Sequence, residues 1–533
     1  MAAALHIRRL RTRYRLSSRT RGAVARLDRI QRAVLDDALT AALDRLGIDG
    51  RREICVRRVG SQVAVSLGAR DDEIAQVWAR SMAVRIRAAI DAGSADVVRY
   101  QNRHEALLDA AASLAAGDDT RAWAWQQLGL FGGVRASGAA APGEALLAVL
   151  LAAAPVAPAI LSALVRSGLT ARLRAIVSPT GWSALARAAL VANGLPTGAL
   201  DGAIPLTPLS PSARARAQRL AGRSSLTALI APPAMRPANA SVTTAPRDTG
   251  ARPLEGPGGR GLDEPTAALA ALALLEVEPV AFAGAAGEVA ALLAAFAAGA
   301  VTDAVTGPPL AAAEESRPRA PGSTPAPARR GSGDAPAAAW QAPADARQAP
   351  APTTRASSLA RTASRTEHGG LPFLLHLVRD AGVPTTFAAW LDGAGPPLAP
   401  GRTFRGLMHG LARTLVALPV DDPAALAFAG LPPDAPPPTR DEPAPTAGEE
   451  AALAELAAAL VVELRRRLDR LTEPAPSLLA WLCRRRATVV ADPGWLDVEL
   501  SLDDVDTSVR RSGLDLDLGW LPWLGVAVRF LYA

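Results

Sequence analysis

Three proline-rich tracts decide how this chain can fold, because segments with few large apolar side chains cannot bury enough surface to offset the entropy of ordering them. They are residues 231–265, rich in Pro, Gly, Thr and Arg, residues 307–366, rich in Pro, Ala, Ser and Arg, and residues 431–449, short and acidic. Read as disordered linkers, they divide the chain into an N-terminal module (1–130), Ala/Leu-rich helical segments (143–230, 266–306 and 367–430) and a C-terminal module (450–533). Alanine supplies much of the 49% hydrophobic content, which favours helix and leaves little large-residue core. The expected fold is α+β and predominantly α-helical, with small strand/helix modules at both termini.

The N-terminal module reads as strand and helix in alternation. Arg9, Arg11, Arg13 and Arg15 alternate with Leu10, Thr12, Tyr14 and Leu16, the period of a strand with one basic face. Val24, Leu27, Val34, Leu39 and Leu43 follow at helical spacing, and Ile54, Val56, Val63, Val65 and Leu67 give a second strand signal with a turn or bulge at Gly60. Asp71, Asp72 and Glu73 suit a helix N-terminus, opening a helix through Ile74, Trp78 and Ile90. In the C-terminal module Leu453, Leu456, Leu460, Leu464 and Leu468 line one helix face, and Leu496, Val498, Leu500 and Leu502 alternate with polar residues as a strand.

Catalytic chemistry finds little footing. All 58 basic residues are arginine, so a Walker A phosphate loop and Schiff-base chemistry, which need a primary amine, are excluded. His104-Glu105 begins like a zinc-protease helix, but Leu108 stands where the second histidine is required. His6, His368, His376 and His409 share no ligand spacing. The glycine-rich run 256–261 mimics a phosphate loop inside a linker, and Asp503, Asp504, Asp506, Asp515 and Asp517 lack the Gly and terminal Glu of an EF loop. Cys55 and Cys483 read as small buried hydrophobes. No enzyme activity, cofactor or metal is expected.

Charge and apolarity leave two partner classes to weigh. Residues 1–32 hold ten arginines against the single acid Asp28, enough for a phosphate strip, yet Tyr14 is the one aromatic ring among them and a stacking platform is missing. An acidic protein surface is the preferred partner over nucleic acid. Residues 145–165 carry no charge and meet the length of about 20 residues for a membrane span, and 280–301 carry only Glu288. Pro155 and Pro158 interrupt the first, and Glu276 and Glu278 stand just ahead of the second. A buried helical hairpin is preferred to membrane contact. No apolar run of about 7–15 residues follows Arg8 and Arg9, so synthesis in the cytoplasm is expected.

The end of the chain concentrates aromatic rings in a protein only 4% aromatic. Gly519-Trp520-Leu521-Pro522-Trp523-Leu524-Gly525 sets two indoles three residues apart around a proline, and Val526, Val528, Phe530 and Tyr532 then alternate as a half-buried strand. This ending resembles the C-terminus of the tape measure protein family of contractile injection systems, the phage-tail-like machines. Two further segments are similar to the same family: Val97-Val98-Arg99-Tyr100 with the later block Arg121-Ala122-Trp123-Ala124-Trp125-Gln126-Gln127-Leu128-Gly129, and Glu367-His368-Gly369-Gly370-Leu371 leading into a leucine-rich helix. Their order along the chain agrees with the family. Leu518 and Val526 depart from its pattern, standing where Pro and Arg are expected.

The resemblance implies a structural assembly protein that sets the length of the inner tube, made in the cytoplasm and then held in the particle lumen, with inner tube and baseplate proteins as partners and no small-molecule substrate. Stretched as helix, 533 residues reach about 800 Å at about 1.5 Å per residue, against a radius of gyration of about 24 Å for one compact body. Trp520, Trp523, Phe530 and Tyr532 at one end and Arg9, Arg11, Arg13 and Arg15 at the other are the expected anchors, with packing as the competing role for the aromatic rings. A cytoplasmic assembly factor of the same machine and a membrane-active or nucleic-acid-binding accessory protein are the alternatives.

Overall fold

The chain folds into three cores, and their boundaries differ from those that composition suggests. The computed structural model describes residues 7, 10–16, 22–46, 52–93, 95–131, 142–200, 209–230, 262–306 and 361–532. Arg9, the glycine-rich run 256–261 and nearly all of the first two expected linkers lie outside the described residues. The fold is α+β and predominantly helical.

The N-terminal core is a small helical cluster. Helix α1 (Ala23–Ala33) runs through a π turn (Val34–Ala38) into α2 (Leu39–Asp44), and both pack on α3 (Asp71–Ala92) through Ile30, Val34, Leu39, Ile74 and Trp78. Of the acids that open α3, Asp71 is tied back to α1, where Arg26 pairs with it at 2.7 Å. One expected strand and the second half of another are absent among the described residues. Residues 10–16 and 59–66 carry no strand, because neither finds a partner backbone to pair with. The strand that does form, β1 (Glu53–Val56), leaves this cluster and pairs antiparallel with β2 (Val97–Tyr100), placing Cys55 opposite Val98.

That pairing carries the expected 1–130 module into the second core, an alanine-rich bundle. Its helices are α4 (Arg103–Ala116), α5 (Ala122–Gln127), α6 (Pro142–Ala152), α7 (Ala157–Arg166), α8 (Thr170–Ile176), α9 (Pro179–Ala192), α10 (Pro211–Arg223), α11 (Thr227–Ile230), α12 (Glu264–Val277) and α13 (Ala286–Thr306). One cluster of buried side chains runs from Cys55 to Ala297. Helix α12 is buried on nearly every side, through Ala268, Ala271, Leu272, Leu274 and Leu275, as a central helix must be. The uncharged stretch 145–165 folds as α6 and α7, bent by 102°, with Leu146, Leu150, Ile160, Leu161 and Leu164 in the core. Among the described residues no single helix is long and apolar enough to cross a membrane, although this bent pair and the 170–192 pair pass by length and composition.

The third core spans residues 371–530 and corrects two linker assignments. Strand β3 (Thr362–Thr366) is built from the last residues of the expected 307–366 linker. It is followed by α14 (Leu375–Asp380), α15 (Val383–Leu391), α16 (Phe404–Leu415), α17 (Pro423–Phe428), α18 (Ala447–Arg467), α19 (Ala475–Cys483), β4 (Ala487–Asp492), β5 (Trp495–Leu500), α20 (Thr507–Ser512), β6 (Gly519–Leu521) and β7 (Val526–Tyr532). The expected 431–449 linker is packed: Pro438 and Glu442 are buried, and the segment binds 367–430 and 450–533 into one body. Its carboxylates find buried arginines, which composition cannot show.

The sheet runs β3-β4-β5-β7-β6, antiparallel throughout except for the parallel β5/β7 pair. Val489, Val498, Val528 and Phe530 face the core, as the period-two patterns around Leu496 and Val526 require. The Gly369-Gly370 pair threads the chain beneath the end of α19, donating to the carbonyls of Arg485 (2.8 Å) and Cys483 (3.2 Å). A Cβ on Gly370 would stand 2.0 Å from the Leu482 carbonyl oxygen. Gly370→Ala should therefore lower stability by about 1–3 kcal/mol through overpacking. Urea unfolding of the full chain measures this, and an unchanged midpoint would contradict the close approach.

Candidate interaction surfaces

The aromatic ending forms the seam between the bundle and the C-terminal body. Residues 521–524 make the turn between β6 and β7, with Leu521 accepting from the backbone N–H of Leu524 (3.0 Å) and Gly525 (2.9 Å) and Pro522 at the position where its fixed φ suits a turn. Gly525 takes φ +69° and lies against Pro279 of the bundle, a conformation that a side chain would strain. This turn sends its two indoles to different cores. Trp520 packs on the bundle cluster and donates its Nε1 proton to Asn193 Oδ1 at 2.9 Å. Trp523 packs on the C-terminal cluster, edge-on to Phe404 at 6.1 Å.

The other aromatic candidates are engaged inside the C-terminal body. Phe530 is buried against Phe373 at 4.8 Å. Tyr532 donates to Asp515 Oδ2 at 3.1 Å, and burial together with that carboxylate raises its pKa. Leu518 and Val526, the two departures from the family pattern, are buried apolar positions. Asp506 caps α20 by accepting from Ser508 and Val509, and Asp517 accepts from the Phe530 N–H. The aromatic rings expected to anchor another protein are occupied by contacts within this one.

Charged groups complete the seam. Helix α16 begins against the bundle: the Phe404 N–H donates to Glu278 Oε1 at 2.9 Å, and the same oxygen accepts from Arg216 at 2.7 Å. A carboxylate at a helix N-terminus is favoured by the dipole and by the unpaired N–H groups there. Arg405 donates to the carbonyls of Glu276 (3.0 Å) in the bundle and Leu524 (3.3 Å) beside the tryptophan turn. Burial pulls its pKa down to about 10, against the opposing pull of Glu276 and Glu278. Glu442 accepts from Arg402 (3.0 Å), Thr403 (2.6 Å) and, across the seam, Arg223 (3.1 Å). In the sequence Glu276 and Glu278 register only as charges ahead of an apolar stretch, and Asn193 and Glu442 carry no signal.

At the far end of the seam His104 of α4 lies 5.1 Å from the Trp495 ring. Arg529 covers the same indole at 4.7 Å and holds Asp497 with two bonds of 2.8 Å. His104 is 6% exposed, and burial, then Arg529, lowers its pKa to about 3. His376 and His409 are also lowered, chiefly by burial. Among the described residues no group of His, Cys, Asp and Glu side chains is arranged to hold a metal. Both cysteines are free and buried. A small cavity of about 20 Å³ beside Trp520, Asn193 and Glu276 has room for about one water molecule.

The arginine strip lies elsewhere. Arg11, Arg13 and Arg15 are exposed on a segment pinned by Tyr14, which donates to Asp28 (2.8 Å) and sits edge-on to Trp78. The ring that could have stacked on a base is therefore committed to the protein. The Val-Val-Arg-Tyr and Arg-Ala-Trp-Ala-Trp segments meet in one buried network: Tyr100 donates to Asp109 (2.8 Å), Trp125 donates to the Tyr100 hydroxyl (3.0 Å), and Arg121 pairs with Asp109 (3.0 Å).

Two outcomes follow from this geometry. Trp523→Ala should cost about 3 kcal/mol in urea unfolding by emptying part of the C-terminal core, whereas Trp520→Phe, which removes the N–H and shrinks the ring that lies on the bundle, should leave the unfolding of the C-terminal core unchanged; equal losses in urea unfolding would refute the division of the two rings between cores. His104 unfolds from a pKa of about 3 toward the ordinary 6.5, so the unfolded chain takes up the proton first. Its stabilisation is complete above pH 6.5 and falls on acidification by about 1.4 kcal/mol per pH unit. His104→Gln should remove about one proton's worth of that slope between pH 6.5 and 5, and an unchanged slope would show that His104 is accessible.

In comparisons with family models, with curated proteins and with solved structures, no significant match to the chain is found.

Proposed function

We propose that the protein is a structural assembly protein of a contractile injection system, a tape measure that sets inner tube length through the length of its own chain. The observation that carries the reading is the ordered set of three motifs resembling that family, at residues 97–129, 367–377 and 514–532. Each motif has a physical task in the fold: the Tyr100–Asp109–Trp125 network, the Gly369-Gly370 crossing and the tryptophan turn. On this reading the bodies are beads on one chain, and residues 307–360 set the spacing between the second and third. Arg11, Arg13 and Arg15 are the basic surface offered to an acidic face of a baseplate or tube protein. The partners are the inner tube and baseplate proteins. The place of action is the tube lumen after synthesis in the cytoplasm, and no catalytic step, cofactor or nucleic acid enters.

The reading predicts that residues 310–358 matter by length and not by sequence. Their deletion stops short of β3 and should shorten tubes in proportion to the residues lost, while scrambling them should leave tube length unchanged. Electron microscopy of particles from the two strains measures it. Equal tube lengths in both would overturn the ruler reading and leave the assembly-factor alternative, whose mark is absence from purified particles.

A further inference from the structure

The three bodies are not equally bound to one another. The N-terminal cluster is interleaved with the bundle, since β1 leaves it to pair with β2 inside the bundle core. The C-terminal body is different: every described residue from 361 to 532 follows the last bundle helix, α13, and the two bodies are joined covalently once, through residues 307–360. Their buried cores form separate clusters that touch at the edges, through Trp520 on one side and Val280 on the other. Polar contacts cross between the clusters, Trp520 to Asn193, Arg223 to Glu442, Phe404 N–H to Glu278 and Arg405 to the Glu276 carbonyl, beside apolar ones of Gly525 on Pro279 and Gly494 on Val156.

We propose that this seam is a latch, from which the 361–532 body undocks whole while both cores stay folded. Three physical features favour it. The two cores are separate clusters and the interface between them mixes ion pairs and hydrogen bonds with apolar contacts, and interfaces between domains allow relative motion unless they are large and apolar. The seam also buries polar atoms with no hydrogen-bond partner among the described residues, namely Arg219 Nη1, Arg405 Nε and Glu278 Oε2; undocking returns them to water and recovers their solvation. Finally, the two bodies are joined covalently once, so opening breaks no second connection between the cores. The seam contacts act as a specific but releasable fastening. The inference holds whether or not the protein works inside a tube; if it does, undocking lets the bodies pass in series.

The test uses the full chain. Cysteines placed at Val191 on α9 and Val462 on α18, which are 66% and 62% exposed, accept a donor and an acceptor dye, the two native cysteines being buried. Energy transfer and far-ultraviolet circular dichroism are followed together through a urea titration. The latch predicts that transfer falls at lower urea than helicity does. Arg223→Ala, which removes the cross-seam partner of Glu442 while Arg402 still holds it, should raise the opening constant about tenfold and move only the transfer curve. Coincident curves in the parent protein, or an Arg223→Ala shift of both curves together, would overturn the proposal. A second variant, Trp520→Phe, must also move the transfer curve alone.

Discussion

Two tryptophans on one tight turn hold this protein together. Trp520 and Trp523 are three residues apart, and the turn at Leu521-Pro522 sends one ring to the bundle and the other to the C-terminal core. The geometry is available because Pro522 fixes one backbone angle and Gly525 tolerates a positive one. Around it the chain places its buried charges, Glu278 at the start of α16 and Arg405 across the turn. Removing one member of such a set leaves the others buried and unpaired, which is why the seam is specific even where the net stabilisation of each ion pair is small.

The composition explains where the large side chains go. In the bundle, alanines of α4, α9 and α12 let helices approach closely, and one central helix can be buried on nearly all sides. Such a core gains stability from close packing and helix propensity more than from the area of any one residue. Rings fill both cores beside these aliphatic side chains: Tyr100, Trp125, Phe282 and Phe296 are buried in the bundle, and Phe373, Phe387, Phe404 and Phe530 in the C-terminal body. The absence of lysine is matched by arginines that work as buried multi-donor groups, since the planar guanidinium of Arg402 can serve Glu442 and Glu449 together.

Much of this was legible locally. The leucine face of α18, the alternation in β5 and β7 and the acids opening α3 each follow from a single period or a cap. The pairing of β1 with β2 was not, because it joins segments more than forty residues apart and splits a module that composition leaves whole. Residues 431–449 resemble a linker by every local measure, yet Glu442 and Glu449 are buried because Arg402, forty and more residues earlier, is there to meet them. Strand β3 is hidden at the end of a proline-rich tract, since Thr362–Thr366 carries no large apolar residue and becomes a strand by pairing with β4. At the seam the aromatic ending was visible as packed, while its partners Asn193 and Glu278 were not, a contact across more than three hundred residues in the first case.

The central claim is that the Trp520 indole is bonded to the bundle, and a double-mutant cycle tests it most directly. Seam opening in urea, followed by energy transfer between dyes at positions 191 and 462 in the parent, Trp520→Phe, Asn193→Ala and the double variant, isolates the energy of that one contact from the changes around it. The account predicts a coupling of about 1 kcal/mol between the two positions. Strict additivity would mean that the ring and the amide do not meet, and that the two bodies are held together by something other than this turn.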